Sequence, residues 1–130
     1  MLKQKVFLSG GFKSNWQKKV VERLSDNFVY FNPREHMLES SVEYTFWDVH
    51  FIKQCDIVFA YLEHDNPSGL GLIFEIGVAY GLGKTVILVD EKSPKDDTFN
   101  KYFKIVQHAS SSLFTSFEEG VKYLESFSKY

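Results

Sequence analysis

NPSGLGLIFEIGVAYGLGKTVILV, residues 66–89, is the stretch whose reading decides the fold. It opens on a polar turn at Asn66, Pro67 and Ser68, continues as a helical pattern, breaks at Gly81 and Gly83, and closes on a β-branched run. The helix is placed over residues 69–82 and the strand over residues 85–89. A helix feeding a buried strand is half of a βαβ unit, the crossover that joins parallel strands. One residue does not suit this helix. Glu75 sits in its second turn among Leu70, Leu72, Ile73, Phe74, Ile76, Val78, Ala79 and Tyr80. Helical side chains lean toward the N-terminus, so Glu75 lies over position 71, where Gly71 has nothing to cover it. That leaves space beside a carboxylate, at a helix end rich in free N–H groups. A surface Glu with a packing glycine explains the same pattern from the helix alone.

Working outward, the same alternation recurs. Strands are expected at residues 5–9, 28–31, 56–61 and 112–114, the first ending in Gly10 and Gly11. Ser14 with Gln17, and Ser116 with Glu119, read as capping boxes that open helices over residues 14–24 and 116–127. Further helices are expected over residues 44–54, with the apolar stripe Tyr44, Trp47, Phe51 and Ile52, and over residues 98–106. Residues 34–43 and 90–97 read as surface loops. No repeat, low-complexity tract or linker interrupts the pattern, so residues 1–130 are expected to form a single domain. The class is α/β, a flavodoxin-like or Rossmann-like three-layer sandwich on a five-stranded parallel sheet. Ligands then bind outside the strand C-termini.

Composition narrows the function. The chain has 130 residues, with 15 Lys plus Arg against 17 Asp plus Glu, and 44% of its residues are hydrophobic. A chain of this size buries roughly two-thirds of its unfolded surface and sustains a core. The cations lie between acids without a basic face, which argues against a nucleic-acid polymer as partner. No stretch approaches the ~18 apolar residues of a membrane span and no signal-peptide pattern follows Met1, so a soluble, cytoplasmic protein with no membrane partner is expected. One cysteine, Cys55, supports neither a disulfide nor a zinc site. No metal and no cofactor are expected.

Several motifs fail. Gly83, Lys84 and Thr85 resemble the end of a phosphate loop, but they stand between a helix and a strand in the reverse order. Gly69 and Gly71 begin a dinucleotide fingerprint that Phe74 breaks. The first strand ends without the acids of a phospho-receiver. His36, His50, His64 and His108 lie apart, and each reads as a satisfied or solvated histidine.

Asp48 is the second misplaced carboxylate, among Tyr44, Trp47, Phe51 and Ile52 on its helix. Burying it alone is costly. Packed beside the third strand, its helix can bring Asp48 to the rim that Glu75 occupies, and two carboxylates in one cleft are the apparatus of glycosidic chemistry. Hydrogen bonding of Asp48 to a backbone amide is the structural alternative. Asp56 reads as a turn residue. The turn of Ser9, Gly10, Gly11, Phe12, Lys13 and Ser14 offers close backbone approach, a ring for stacking a base, and a cation. Ser68 and Gly69 can hold a phosphate or sugar, or can simply cap the helix.

Three segments resemble the nucleoside 2-deoxyribosyltransferase family, including relatives that hydrolyse deoxynucleoside monophosphates. They are VFLSGGF (residues 6–12), DVHFIKQCDIVFAYL (residues 48–62) and the opening stretch, which is close to the pattern GxxxEIGxAxxxGK followed by a strand. The resemblance implies that Glu75 is the nucleophile and that Asp48 assists at the sugar or base. It further implies that Gly10, Gly11 and Phe12 border the substrate. The expected activity is cleavage of the N-glycosidic bond of 2'-deoxynucleosides through a covalent glycosyl-Glu intermediate, with transfer of deoxyribose to a second base. The implied partners are a nucleoside or nucleotide and an acceptor nucleobase, in a homo-oligomer. The turn before the catalytic helix carries Ser68 and Gly69 where transferases often have a carboxylate. Lys13 and Arg34 could supply charge for a phosphate, so hydrolysis of monophosphates is the alternative activity. A non-catalytic nucleotide-binding module is another alternative on the same fold. A third is an interaction domain in which the 13 Phe and 7 Tyr serve self-association.

Overall fold

The computed structural model describes residues 2–129. In chain order the elements are β1 (Lys5–Gly10), α1 (Trp16–Leu24), β2 (Val29–Phe31), α2 (Ser41–Gln54) and β3 (Ile57–Leu62). They continue with α3 (Leu70–Gly81), β4 (Thr85–Asp90), α4 (Asp97–His108), β5 (Ser112–Phe114) and α5 (Phe117–Ser126). The five strands pair in parallel in the order β2-β1-β3-β4-β5. This is the flavodoxin-like order expected from the sequence, and its switch point lies between β1 and β3, where the chain departs in opposite directions.

Parallel strands covered on both faces must be apolar on both faces, and β3 is buried at every position. Two cores result. Trp16, Val20 and Leu24 of α1 with Val121 and Leu124 of α5 cover one face of the sheet. Ile52 of α2, Leu72, Ile76 and Ala79 of α3, and Phe103 and Val106 of α4 cover the other. Trp16 is only 2% exposed, and a ring of about 200 Å² buried to that extent contributes roughly 5 kcal/mol of transfer free energy.

Most element boundaries move by a single residue, and larger shifts fall at α1, α2 and α4. Helix α2 begins three residues before the expected Tyr44, and Pro33–Glu35 forms a 3-10 turn inside the expected loop. Helix α4 extends to both sides of residues 98–106, because Asp96 accepts from the amide of Phe99 and caps it one residue earlier. The capping box at Ser14 does not form. Helix α1 starts at Trp16 after Asn15; Ser14 Oγ instead donates to Glu63 at 2.8 Å, and Gln17 Nε2 donates to the Gly11 carbonyl at 3.0 Å. Trp16 Nε1 donates to the same carbonyl at 2.9 Å. Both residues have tertiary partners better placed than the helix end. The box at Ser116 does hold, its hydroxyl accepting from the Glu119 amide.

Asp56 is a turn residue, as expected. Its carboxylate accepts from the Lys5 amide at 2.8 Å and fastens the start of β1 to that of β3. No helix among the described residues is long and apolar enough to cross a membrane.

Candidate active site

The floor of the site is where β1 ends. Gly10 has φ +155°, and a Cβ there would stand 2.5 Å from the Tyr61 carbonyl oxygen and 2.9 Å from the Trp16 ring. Only glycine lets β1 turn so tightly over β3. One residue earlier, buried Ser9 donates its hydroxyl to Glu75 Oε1 at 2.6 Å. Gly69, with φ +67°, bends the chain into α3, and Asn66 Oδ1 accepts from the amides of Ser68 and Gly69 to hold that bend. The second turn of α3 thereby delivers Glu75 to the end of β1.

Asp48, from the middle of α2, meets Glu75 within hydrogen-bonding reach. Burial pushes the Glu75 carboxyl up to about 8, and the negative charge of Asp48 adds to the rise while the Ser9 hydroxyl opposes it. Burial also raises Asp48, against the pull of its hydrogen bond to Glu75 and of His36. Two carboxyls this close cannot both ionise freely, so the pair retains one proton into the neutral range. Among the described residues Asp48 accepts from no backbone amide, the structural alternative for it. Its Oδ1 is buried without a hydrogen-bond partner, as is His36 Nδ1, and the two stand 4.0 Å apart.

The pair opens into a pocket of about 330 Å³ lined by Gly10, Phe12, Pro33, His36, Leu38, Tyr44, Asp48, Gly71, Leu72 and Glu75. Gly71 leaves open space, with nothing within 4 Å of where its Cβ would be. Phe12 is half exposed at the mouth, and the Arg34 guanidinium lies over its ring, 5.7 Å from the centroid. A flat ring at the mouth and carboxyls within suit a planar base attached to a sugar.

Of the residues singled out in the sequence, this pocket unites Gly10, Phe12, Asp48, Gly71 and Glu75. Gly11 and Lys13 line a neighbouring cleft of about 210 Å³ with Glu63, Asp65 and Asn66, and Lys13 Nζ is engaged by the Asp65 carbonyl at 3.3 Å. Ser68 and Gly69 line neither. Ser68 Oγ accepts from the Leu70 amide at 3.4 Å, the capping role. Two polar residues beside the carboxyl pair, Ser9 beneath the pocket and His36 in its wall, were given no role of their own. Ser9 reads as part of a turn because its partner is distant in sequence. His36, read as a satisfied or solvated histidine, is half-buried against Phe51 and faces Asp48.

A carboxyl pair thus lies at the switch point of a parallel α/β sheet, where folds of this class bind small ligands, and paired carboxyls in a cleft are an arrangement that glycosidic chemistry uses. The family profile described as "Nucleoside 2-deoxyribosyltransferase like" matches residues 3–93, and the chain belongs to that family. None of the curated proteins matches it. Among solved structures, a 2-desoxiribosyltransferase from Leishmania mexicana is similar at 19% identity and a TM-score of 0.75, over 95% of this chain and 97% of the other. The CMP N-glycosidase BcmB of Clostridium botulinum is similar at 22% identity and a TM-score of 0.61, over 94% of this chain and 98% of the other. At these identities the likeness is one of fold.

Proposed function

We propose that this protein cleaves the N-glycosidic bond of 2'-deoxynucleosides and transfers the deoxyribosyl group to a second nucleobase. The observation that carries the proposal is the Glu75 carboxyl, held by Ser9 and facing Asp48 inside a pocket with an aromatic mouth. Family membership supports it.

In the first half-reaction a Glu75 oxygen attacks the anomeric carbon as the bond from that carbon to the base nitrogen breaks. The bond pair leaves with the base, and the proton retained by the carboxyl pair goes to that base from Asp48. In the free pocket burial and the charge of Asp48 hold that proton on Glu75, pushed up to about 8, and it crosses to Asp48 as the Glu75 oxygen is freed to attack. In the second half-reaction a nitrogen of the acceptor base attacks the anomeric carbon and gives its proton to Asp48. The ester bond to Glu75 breaks and the carboxylate is restored. Phe12 stacks on the base, and Gly71 leaves room for the sugar.

A second reading is hydrolysis of a 2'-deoxynucleoside 5'-monophosphate, with water as acceptor. Arg34 over the Phe12 ring favours it, since it puts a guanidinium at the pocket mouth where a phosphate can reach it. The test is to incubate the protein with each deoxynucleoside and each monophosphate, with and without a free base, and to separate the products. New nucleoside formed only with acceptor supports transfer. Base released from monophosphates alone supports hydrolysis. Ligand binding with no product from any substrate leaves a binding module and overturns both.

A further inference from the structure

His36 follows the Pro33–Glu35 turn, and its amide donates to the Pro33 carbonyl at 3.1 Å. Its ring is fixed from α2. Asp48 and Phe51 stand three residues apart on that helix and share a face, so a ring packed on one is turned to the other. The ring centroids of His36 and Phe51 are 4.9 Å apart, and Phe51 is itself stacked on Phe31 of β2 at 4.8 Å.

This packing aims His36 Nδ1 at Asp48 Oδ1. The two atoms are 4.0 Å apart, both are closed off from solvent, and neither has a hydrogen-bond partner. A buried polar atom left unpaired is costly, and an approach of about 1 Å joins these two in an ordinary hydrogen bond. A proton on Nδ1 makes that bond, donated to ionised Asp48, which then accepts from His36 on one side and from Glu75 on the other. Burial raises the Asp48 carboxyl, and both of these neighbours pull it down, as donors to a carboxylate do. Other charged groups do not compete for the ring. Among the described residues Asp48 is the one acid within 4.0 Å of a His36 nitrogen. Arg34 is turned to the Ser14 carbonyl and the Phe12 ring, Glu35 is exposed, and His50 of α2 packs on Trp47 and Phe51.

We propose that His36 is a positioning residue of the reaction: it holds Asp48 through a hydrogen bond from Nδ1–H to Oδ1 and favours the carboxylate that Asp48 becomes on protonating the leaving base. The inference rests on the glycosidic reading of the acid pair. In that step the bond from the anomeric carbon to the base nitrogen breaks with its electron pair going to the base. The proton that Asp48 took from Glu75 passes to the base, and Asp48 is left ionised. His36 neither gains nor loses a proton.

The tautomer can be read without turnover. Nuclear magnetic resonance of protein carrying isotope-labelled histidine, at about pH 9 and so above the ordinary titration range of imidazole, is expected to find the His36 proton on Nδ1. In Asp48→Ala it is expected on Nε2, the usual site in water. His36→Phe keeps a ring against Phe51 and removes the donor. Its kcat for base release is expected to fall about 10–100-fold, with KM within about 3-fold of wild type. His36→Asn puts an amide N–H where Nδ1 stands and is expected to recover roughly 10-fold of that loss. A proton on Nε2 in the wild type overturns the inference. So does a His36→Phe enzyme with wild-type kcat, or a loss that His36→Asn does not relieve. A wild type that releases base from no substrate defeats the proposed reaction instead, and the tautomer alone then decides whether His36 holds Asp48.

Discussion

Ser9 at the end of β1 and Glu75 in the second turn of α3 are joined by a 2.6 Å hydrogen bond from hydroxyl to carboxylate. The bond ties the carboxyl to the most rigid part of the sheet. It also stabilises the ionised form in surroundings that otherwise favour the neutral one. Ser9→Ala is expected to raise the Glu75 pKa further and to lower kcat/KM at neutral pH about 10-fold, with the loss shrinking at higher pH. A pH-rate profile that keeps its wild-type shape would count against this role.

Replacing Glu75 by Gln is expected to abolish base release, by about 10⁴-fold or more, as removal of a nucleophile does. The amide fits the site, so the circular dichroism spectrum and thermal unfolding should match a folded protein. A rate within 10-fold of wild type would take Glu75 out of the reaction.

Asp48→Asn removes the negative charge beside Glu75 and, with it, the group proposed to carry the proton to the base. The expected loss is about 10²–10⁴-fold in kcat. The Glu75 pKa should fall, which direct titration of a side-chain-labelled Glu would detect. An unchanged titration would mean that the two carboxyls do not interact.

Stability should depend on pH through the same pair. The folded-state pKa of Glu75, about 8, lies above its ordinary value of 4.5, so the folded chain holds a proton that the unfolded chain releases between these limits. The stabilisation is complete below about pH 4.5 and is lost as pH rises through 8. Urea unfolding at several pH values should show wild type losing a few kcal/mol over this window relative to Glu75→Gln. Parallel stabilities of the two proteins would rule it out.

Much of this architecture was legible because it rests on local pattern. The run at Thr85–Asp90, the cap at Ser116 and the glycine breaks around α3 are decided by neighbours in sequence, and the structure keeps them. The pairing of Asp48 with Glu75 was also foreseeable, since a carboxylate on an apolar stripe needs a partner and the parallel sheet offers one rim for both. Ser14 and Gln17 failed as a box because Glu63 and the Gly11 carbonyl outcompete the helix end, and such partners leave no local trace. Ser9 and His36 were illegible for the same reason.

Gly10→Ala is expected to cost about 2–3 kcal/mol, because the methyl group would meet the Tyr61 carbonyl in a backbone conformation that alanine avoids. Chemical denaturation would measure it. Gly71→Leu is expected to leave stability unchanged while raising KM or eliminating turnover, since its side chain enters the pocket. Normal turnover by Gly71→Leu would place the sugar elsewhere.

The Gly11 carbonyl, gripped by Trp16 and Gln17, anchors the turn that presents Phe12 from the opposite side of the sheet. The ring proposed to stack on the base is thus mounted ahead of α1, while the carboxyls proposed to act on the sugar are mounted on α2 and α3. Selection for a new base preference can change the ring itself without disturbing the acid pair. Drift at Trp16 or Gln17 moves the whole mount, so such a lineage should accumulate changes at Phe12 and leave those two untouched.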